Sequence, residues 1–220
     1  MINKSETEKK VAEFLLQIKA IKLQPNKPFT WASGIKSPIY CDNRITLSHP
    51  AIRTYIRQKL SALVQEEFGS VNLIAGVATA GIPQGVLVAQ ELGLPFAYVR
   101  SKAKEHGTGS LIEGEVFAGQ RVVVVEDLIS TGKSSLQAVQ ALREAGCDVA
   151  GLVGIFSYGL DSATEHFKAA KCRFITLSNY DALIEFASEN SFITTEDITL
   201  LRKWRENPSE WGNSIESTVK

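Results

Sequence analysis

At 220 residues the chain is long enough to bury a full hydrophobic core in one compact unit. Its 24 basic and 24 acidic residues cancel, which excludes an overall field suited to a nucleic acid or an anionic membrane surface. Three widely spaced cysteines, Cys41, Cys147 and Cys172, have no Cys or His nearby at metal-ligand spacing and read as reduced thiols. The charged start MINKSETEKK has no apolar segment behind it, so a cytoplasmic protein with no membrane or nucleic-acid partner is expected.

From Ser5 to about Ala20, Val11, Phe14, Leu15 and Ile18 recur at helical spacing, with Ser5 and Glu8 as a capping box. PNKPFTWASGIKSPIYCDNR follows without a helical period and reads as short strands and turns in a small irregular lobe. Ser48 is expected to cap a second helix through Phe68 that buries Ile52, Tyr55, Ile56, Leu60, Leu63 and Val64. The uncharged run Val71 to Gln90 is about long enough for a bilayer, but Gly76, Gly81, Pro83 and Gly85 interrupt it, giving strand, turn and helix.

Strands are then expected near Leu73 to Val77, Pro95 to Val99, Val122 to Val125, Val149 to Phe156 and Arg173 to Leu177. Helices fall at Pro83 to Leu92, Lys133 to Ala145 and about Ser162 to Ala170, with two more in YDALIEFASEN and TTEDITLLRKWREN. Apolar β-branched runs separated by helices mean a parallel sheet covered on both faces. The fold class is therefore α/β, a central parallel β-sheet flanked by helices, with a small N-terminal lobe. One domain is expected over 1–220, with 1–47 as helix plus lobe and 71–178 as the α/β core. The link Arg100 to Arg121 has no helical period and carries Gly107, Gly109, Gly114 and Gly119, the composition of a lid or of a disordered segment.

The chemistry concentrates in VVVVEDLISTGKSS, Val122 to Ser135. Gly-Lys-Ser after a strand suggests a triphosphate P-loop, but that motif needs a glycine where Asp127 stands. Ligands of parallel sheets gather at the carboxyl ends of strands. There, a turn of small residues opening a helix offers N–H groups and a dipole to one phosphate, with the hydroxyls of Ser130, Thr131, Ser134 and Ser135 beside them. Glu126 and Asp127 would repel that phosphate on contact and suit vicinal hydroxyls of the same ligand. A ribose 5-phosphate fits, and carboxylates below it favour positive charge growing at the anomeric carbon.

This stretch resembles the signature of type I phosphoribosyltransferases, which bind 5-phosphoribosyl 1-diphosphate (PRPP) and replace its pyrophosphate with a base. The resemblance implies a PRPP-binding set of Glu126, Asp127, Leu128, Ile129, Ser130, Thr131, Gly132, Lys133 and Ser134. GVATAGIPQG resembles the family's pyrophosphate loop. YVRSKAKEHGTGSLIEG is similar to the catalytic loop of orotate phosphoribosyltransferases, Arg-x-x-x-Lys-x-His-Gly, and FTWASGIKSPIYCD to the segment that forms a hood over the base.

The implied reaction joins orotate to PRPP with Mg2+, through an oxocarbenium-like ribose, with Arg100, Lys104, His106 and Asp127 as catalytic residues. Ser130 and Lys36 are the implied orotate contacts, although a lysine in a Gly-x-Lys-Ser-Pro turn also suits solvent. His106 serves either as proton donor or as positional charge. The resemblance further implies a homodimer whose 100–114 loop enters the neighbouring subunit's site. Ala32, Ala80 and Ser101 stand where some relatives carry lysine, so no catalytic contact is assigned to them. A transferase for another base such as a purine, and a PRPP-sensing regulator, are the alternative readings. Trp204 reads as an apolar helix anchor, and His49 and His166 as surface or helix-start residues.

Overall fold

The structure is a computed structural model that describes residues 3–31, 34–102 and 110–211. A six-stranded sheet forms its centre, in the order β10-β9-β8-β5-β6-β7. These strands are β5 (Leu73–Val77), β6 (Phe96–Val99), β7 (Ile112–Glu113), β8 (Arg121–Ile129), β9 (Asp148–Ser157) and β10 (Phe174–Asn179). From β5 the chain runs outward to β6 and β7, then returns to lay β8 on the other side of β5, so the order reverses between β5 and β8. That is where a parallel sheet opens a crevice for a ligand.

Successive side chains of a strand face opposite ways, and the four valines of β8 obey this. Val123 and Val125 join a core with α1 (Lys4–Gln17), α2 (Pro50–Phe68), α3 (Gly81–Leu92), α6 (Tyr180–Glu189) and α7 (Thr195–Glu206). Val122 and Val124 join the other core, under α4 (Lys133–Glu144) and α5 (Asp161–Ala169). All four are fully buried, each contributing about 1.5–3 kcal/mol, so β8 is a rigid platform for whatever its end carries.

Several boundaries differ from the sequence expectations, α1 for one ending at Gln17 and not near Ala20. Asn3, not Ser5, caps α1 by accepting the Glu6 N–H at 3.4 Å, since asparagine competes well for this position. Ser48 closes a 3-10 turn, Asn43–Ser48, and His49 is the residue before α2, where Pro50 fits the first helical position because its N–H is not needed there. The link after β6 holds β7, which pairs antiparallel with β6 as Tyr98↔Glu113 and Val99↔Ile112, so the sheet is mostly and not wholly parallel. Two residues are too few for periodicity to reveal. Finally, β8 continues through Ile129, pairing with β9 to Ile129↔Ser157 after its pairing with β5 has ended at Gly76↔Val125.

The N-terminal lobe has two small antiparallel ladders, β1 (Ile21–Leu23) with β4 (Ile39–Cys41) and β2 (Phe29–Thr30) with β3 (Lys36–Ser37). Hairpins this short are marginal alone. Trp31 ties them down by stacking on Tyr158 at 5.4 Å, meeting Trp204 edge-on at 5.7 Å and donating its indole N–H to the Ile39 carbonyl at 3.2 Å. Trp204 is wholly buried and also packs on Tyr180. No helix among the described residues is long and apolar enough to cross a membrane, and Val71 to Gln90 divides into β5, a turn and α3.

Candidate active site

Where β5 stops, β8 carries Glu126 and Asp127 onward beside the start of α3. Gly81 approaches β8 so closely that a Cβ there would lie 2.5 Å from the Val125 carbonyl oxygen, a contact only glycine permits. The turn before α3 is held to the next strand by the Ala78 N–H, which donates to the Val99 carbonyl at 2.9 Å. No side chain caps α3 at Ala80 or α4 at Gly132. At α3 the Ile82 N–H is taken by the Thr79 carbonyl at 3.3 Å and Pro83 has none, so it is chiefly the first-turn N–H groups of α4 that remain without internal partners for an anion at the sheet's carboxyl edge.

The turn into α4 depends on Gly132. Its φ of 76° is in the left-handed region, and an added Cβ would come within 2.5 Å of the Phe167 ring. Ser130 and Thr131 are half-buried, and Lys133 and Ser134 are exposed at the helix start. Ile129 turns its side chain fully into the core and gives its carbonyl to the Tyr158 N–H, so only its main chain borders the site. His166 sits within α5, half-buried, with Nδ1 donating to the Thr131 carbonyl at 2.9 Å. It braces the turn, a role its position in the sequence does not announce.

The sequence treats the two acids alike, and the structure separates them. Glu126 is 5% exposed; one carboxyl oxygen accepts the Asp127 N–H and the other the Ser135 hydroxyl, both at 3.0 Å. It thereby clamps β8 to the first turn of α4. Asp127 is half-buried at the opening. Burial pushes both carboxyl groups above the usual range, and the charge of Asp127 pushes Glu126 further. Hydrogen bonding from the Glu126 carboxyl, then from main-chain N–H groups, and least of all the charge of Arg44, itself bound to Asp42 at 2.6 Å, draw Asp127 back toward ionisation. Asp127 is therefore the member of the pair suited to carry charge toward a ligand.

A buried polar chain supports that strand end from the lobe. Asn43, 1% exposed, donates to the Asp127 carbonyl at 2.7 Å and accepts from the Cys41 thiol at 3.3 Å. Thr46 donates to the Asn43 carbonyl at 2.6 Å, and Gln84 of α3 donates to Thr46 at 3.2 Å. These residues were missed in the sequence, where nothing marks a polar side chain as buried.

Next to Asp127 opens a cavity of about 450 Å³ lined by Thr30, Trp31, Tyr40, Cys41, Leu128, Ser130 and Tyr158. It brings Leu128 and Ser130 together with the lobe. Lys36 is not among its lining residues but donates to the Thr30 hydroxyl at 2.9 Å, one residue from the wall. Arg100 follows β6, with its guanidinium 3.5 Å from Glu113 and its N–H on the Leu111 carbonyl at 2.8 Å. Lys104, His106 and Ala32 lie outside the described residues. Another cavity, about 400 Å³ between α6 and α7, contains none of the sequence-predicted residues.

Among the described residues no three His, Cys, Asp or Glu side chains gather around a common point. Asp127 alone at the opening suits a hard cation such as Mg2+ that keeps water and phosphate oxygens as most of its ligands.

A family model described as phosphoribosyl transferase domain matches residues 45–188. The orotate phosphoribosyltransferase of Listeria innocua is 56% identical over 205 residues, covering 93% of this chain and 98% of that protein. That of Phocaeicola vulgatus is 57% identical over 204 residues, covering 93% and 96%. The crystal structure of orotate phosphoribosyltransferase from Aeropyrum pernix superposes with a TM-score of 0.73 at 27% identity, over 84% of this chain and 99% of that one. With an acid pair and an uncapped phosphate turn at the switch point of this sheet, and with relatives this similar over nearly their whole length, the chain belongs to the orotate phosphoribosyltransferases of the phosphoribosyltransferase family.

Proposed function

We propose that the chain transfers the 5-phosphoribosyl group of PRPP to orotate, giving orotidine 5-monophosphate and pyrophosphate, a step of pyrimidine synthesis. The observation that carries this reading is the junction of β8 and α4, where a half-buried carboxylate and a bare helix start stand beside a base-sized cavity. The N–H groups from Ser130 to Ser134 take the 5-phosphate, and Asp127 faces the ribose hydroxyls.

The bond from the anomeric carbon to pyrophosphate oxygen breaks ahead of attack by the orotate ring nitrogen, and the Asp127 carboxylate favours the positive charge that develops. Arg100, Lys104 and His106 hold the departing pyrophosphate; for Arg100 this requires leaving Glu113. His106 contributes charge or a proton. Ser130 contacts orotate from the cavity wall, and Lys36 meets its carboxylate from the lobe. Mg2+, held chiefly by water and substrate phosphate oxygens, would supply charge neutralisation of the diphosphate. The active form is a homodimer that shares the 100–114 loop, working in the cytoplasm, a location supported by three free thiols.

Loss of orotate absorbance with PRPP and Mg2+ tests the activity directly. Lys104→Ala is expected to lower kcat by about 10²-fold to 10³-fold, the usual loss for one preorganised charge-stabilising donor. Unchanged turnover rejects the role of the loop. Mixing inactive Lys104→Ala and Asp127→Asn proteins should restore partial activity through heterodimers, and no recovery means that each loop serves its own subunit.

A further inference from the structure

Tyr158 stands one residue beyond β9, on the rim that also carries Asp127. Its ring is fixed by packing: stacked on Trp31 at 5.4 Å and edge-on to Phe156 at 5.8 Å and Trp204 at 5.7 Å. Only 2% of the residue is exposed, and its hydroxyl is not among the sealed, unpartnered polar atoms of the core, so its accessible part borders the cavity that the residue lines. The equally buried Tyr180 donates its hydroxyl to the Leu201 carbonyl at 3.0 Å. A phenol whose ring is locked by packing and whose hydroxyl borders a cavity is placed to pair with a polar group that enters it.

Tyr158 lines the 450 Å³ cavity, and of the residues around it this is the one almost wholly buried. Its phenol titrates well above the ordinary value, first because of burial and then because of the neighbouring Cys41 thiol, so at neutral pH it is a neutral donor. Desolvated and held in one orientation, it has little freedom to lose when a partner arrives.

We infer that Tyr158 is a binding residue of the base subsite, its hydroxyl donating a hydrogen bond to a ring carbonyl of the pyrimidine while Trp31 behind it fixes the direction. A base without an acceptor there leaves the hydroxyl buried and unpaired, and a site built this way rejects it. The inference rests on reading this cavity as the orotate site.

Tyr158→Phe removes the hydroxyl and keeps the ring contacts. Its KM for orotate should rise by about 3-fold to 10-fold, the range for one neutral hydrogen bond, with kcat and the KM for PRPP within about twofold. An unchanged KM for orotate overturns the assignment, and so does an equal rise in both KM values, which would mark a merely structural role. Thr30→Trp, at an exposed position on the cavity wall, tests the underlying reading. If it raises the KM for orotate while Tyr158→Phe does not, the tyrosine assignment falls and the cavity stands. If neither variant changes it, both fall.

Discussion

The corner proposed for ribose phosphate and the cavity proposed for the base share Leu128 and Ser130, but they are put together differently. The corner is one unbroken run, Glu126 to Ser135, on a nine-residue strand whose far half is still laddered to β9. The cavity draws on Thr30 and Trp31, Tyr40 and Cys41, Leu128 and Ser130, and Tyr158, and its lobe side rests on strands of two or three residues. The corner proposed for the phosphate is local in the chain and stiff. The cavity proposed for the base is assembled from distant parts and leans on aromatic packing that reaches as far as α7.

The sharpest way to break this contrast is to remove its remote support. Trp204→Ala empties a fully buried indole site beneath Trp31 and Tyr158 and is expected to cost about 3–5 kcal/mol, read from urea or thermal unfolding. In the folded fraction the KM for orotate should rise more than that for PRPP, and an equal rise would erase the distinction between the two regions.

Gly132→Ala strikes the other region. The left-handed backbone and the Phe167 ring both oppose a Cβ, and together they should cost about 2–4 kcal/mol while raising the KM for PRPP. Adding Phe167→Leu should return part of the stability, which separates crowding from backbone strain.

The smallest effect is a pH slope. Glu126 titrates higher in the folded chain than its ordinary 4.5, so the native state keeps a proton that the unfolded chain has released. The Glu126 contribution to stability is therefore fully present below that value and is lost as pH rises through the folded pKa. Urea midpoints across this range should fall less steeply in Glu126→Gln, and the slope that remains belongs to Asp127, which is shifted the same way. An unaltered slope would mean that Glu126 ionises freely where it is.

These contrasts also decide what the sequence could reveal. The corner was legible because a fully buried strand, its acids and its turn are consecutive, so composition and order carry the geometry. The lobe was legible only as irregular. Asn43, Tyr158 and His166 stayed hidden because their roles depend on partners 84, 127 and 35 residues away: the Asp127 carbonyl, the Trp31 ring and the Thr131 carbonyl. The strand-end rule that singled out Glu126 and Asp127 would also have pointed to Tyr158, had the end of β9 been read as part of the same rim.

The brace between His166 and Thr131 reaches further than one bond. A trans peptide is planar and sends its two dipolar ends in opposite directions, so fixing the Thr131 oxygen toward α5 obliges the Gly132 hydrogen to point away from that helix. Rotating this unit by a half-turn would exchange a donor for an acceptor at the helix mouth and greet an incoming anion with the wrong polarity. The imidazole thus works as a latch on the electrical sense of the turn, holding it ready before any substrate arrives.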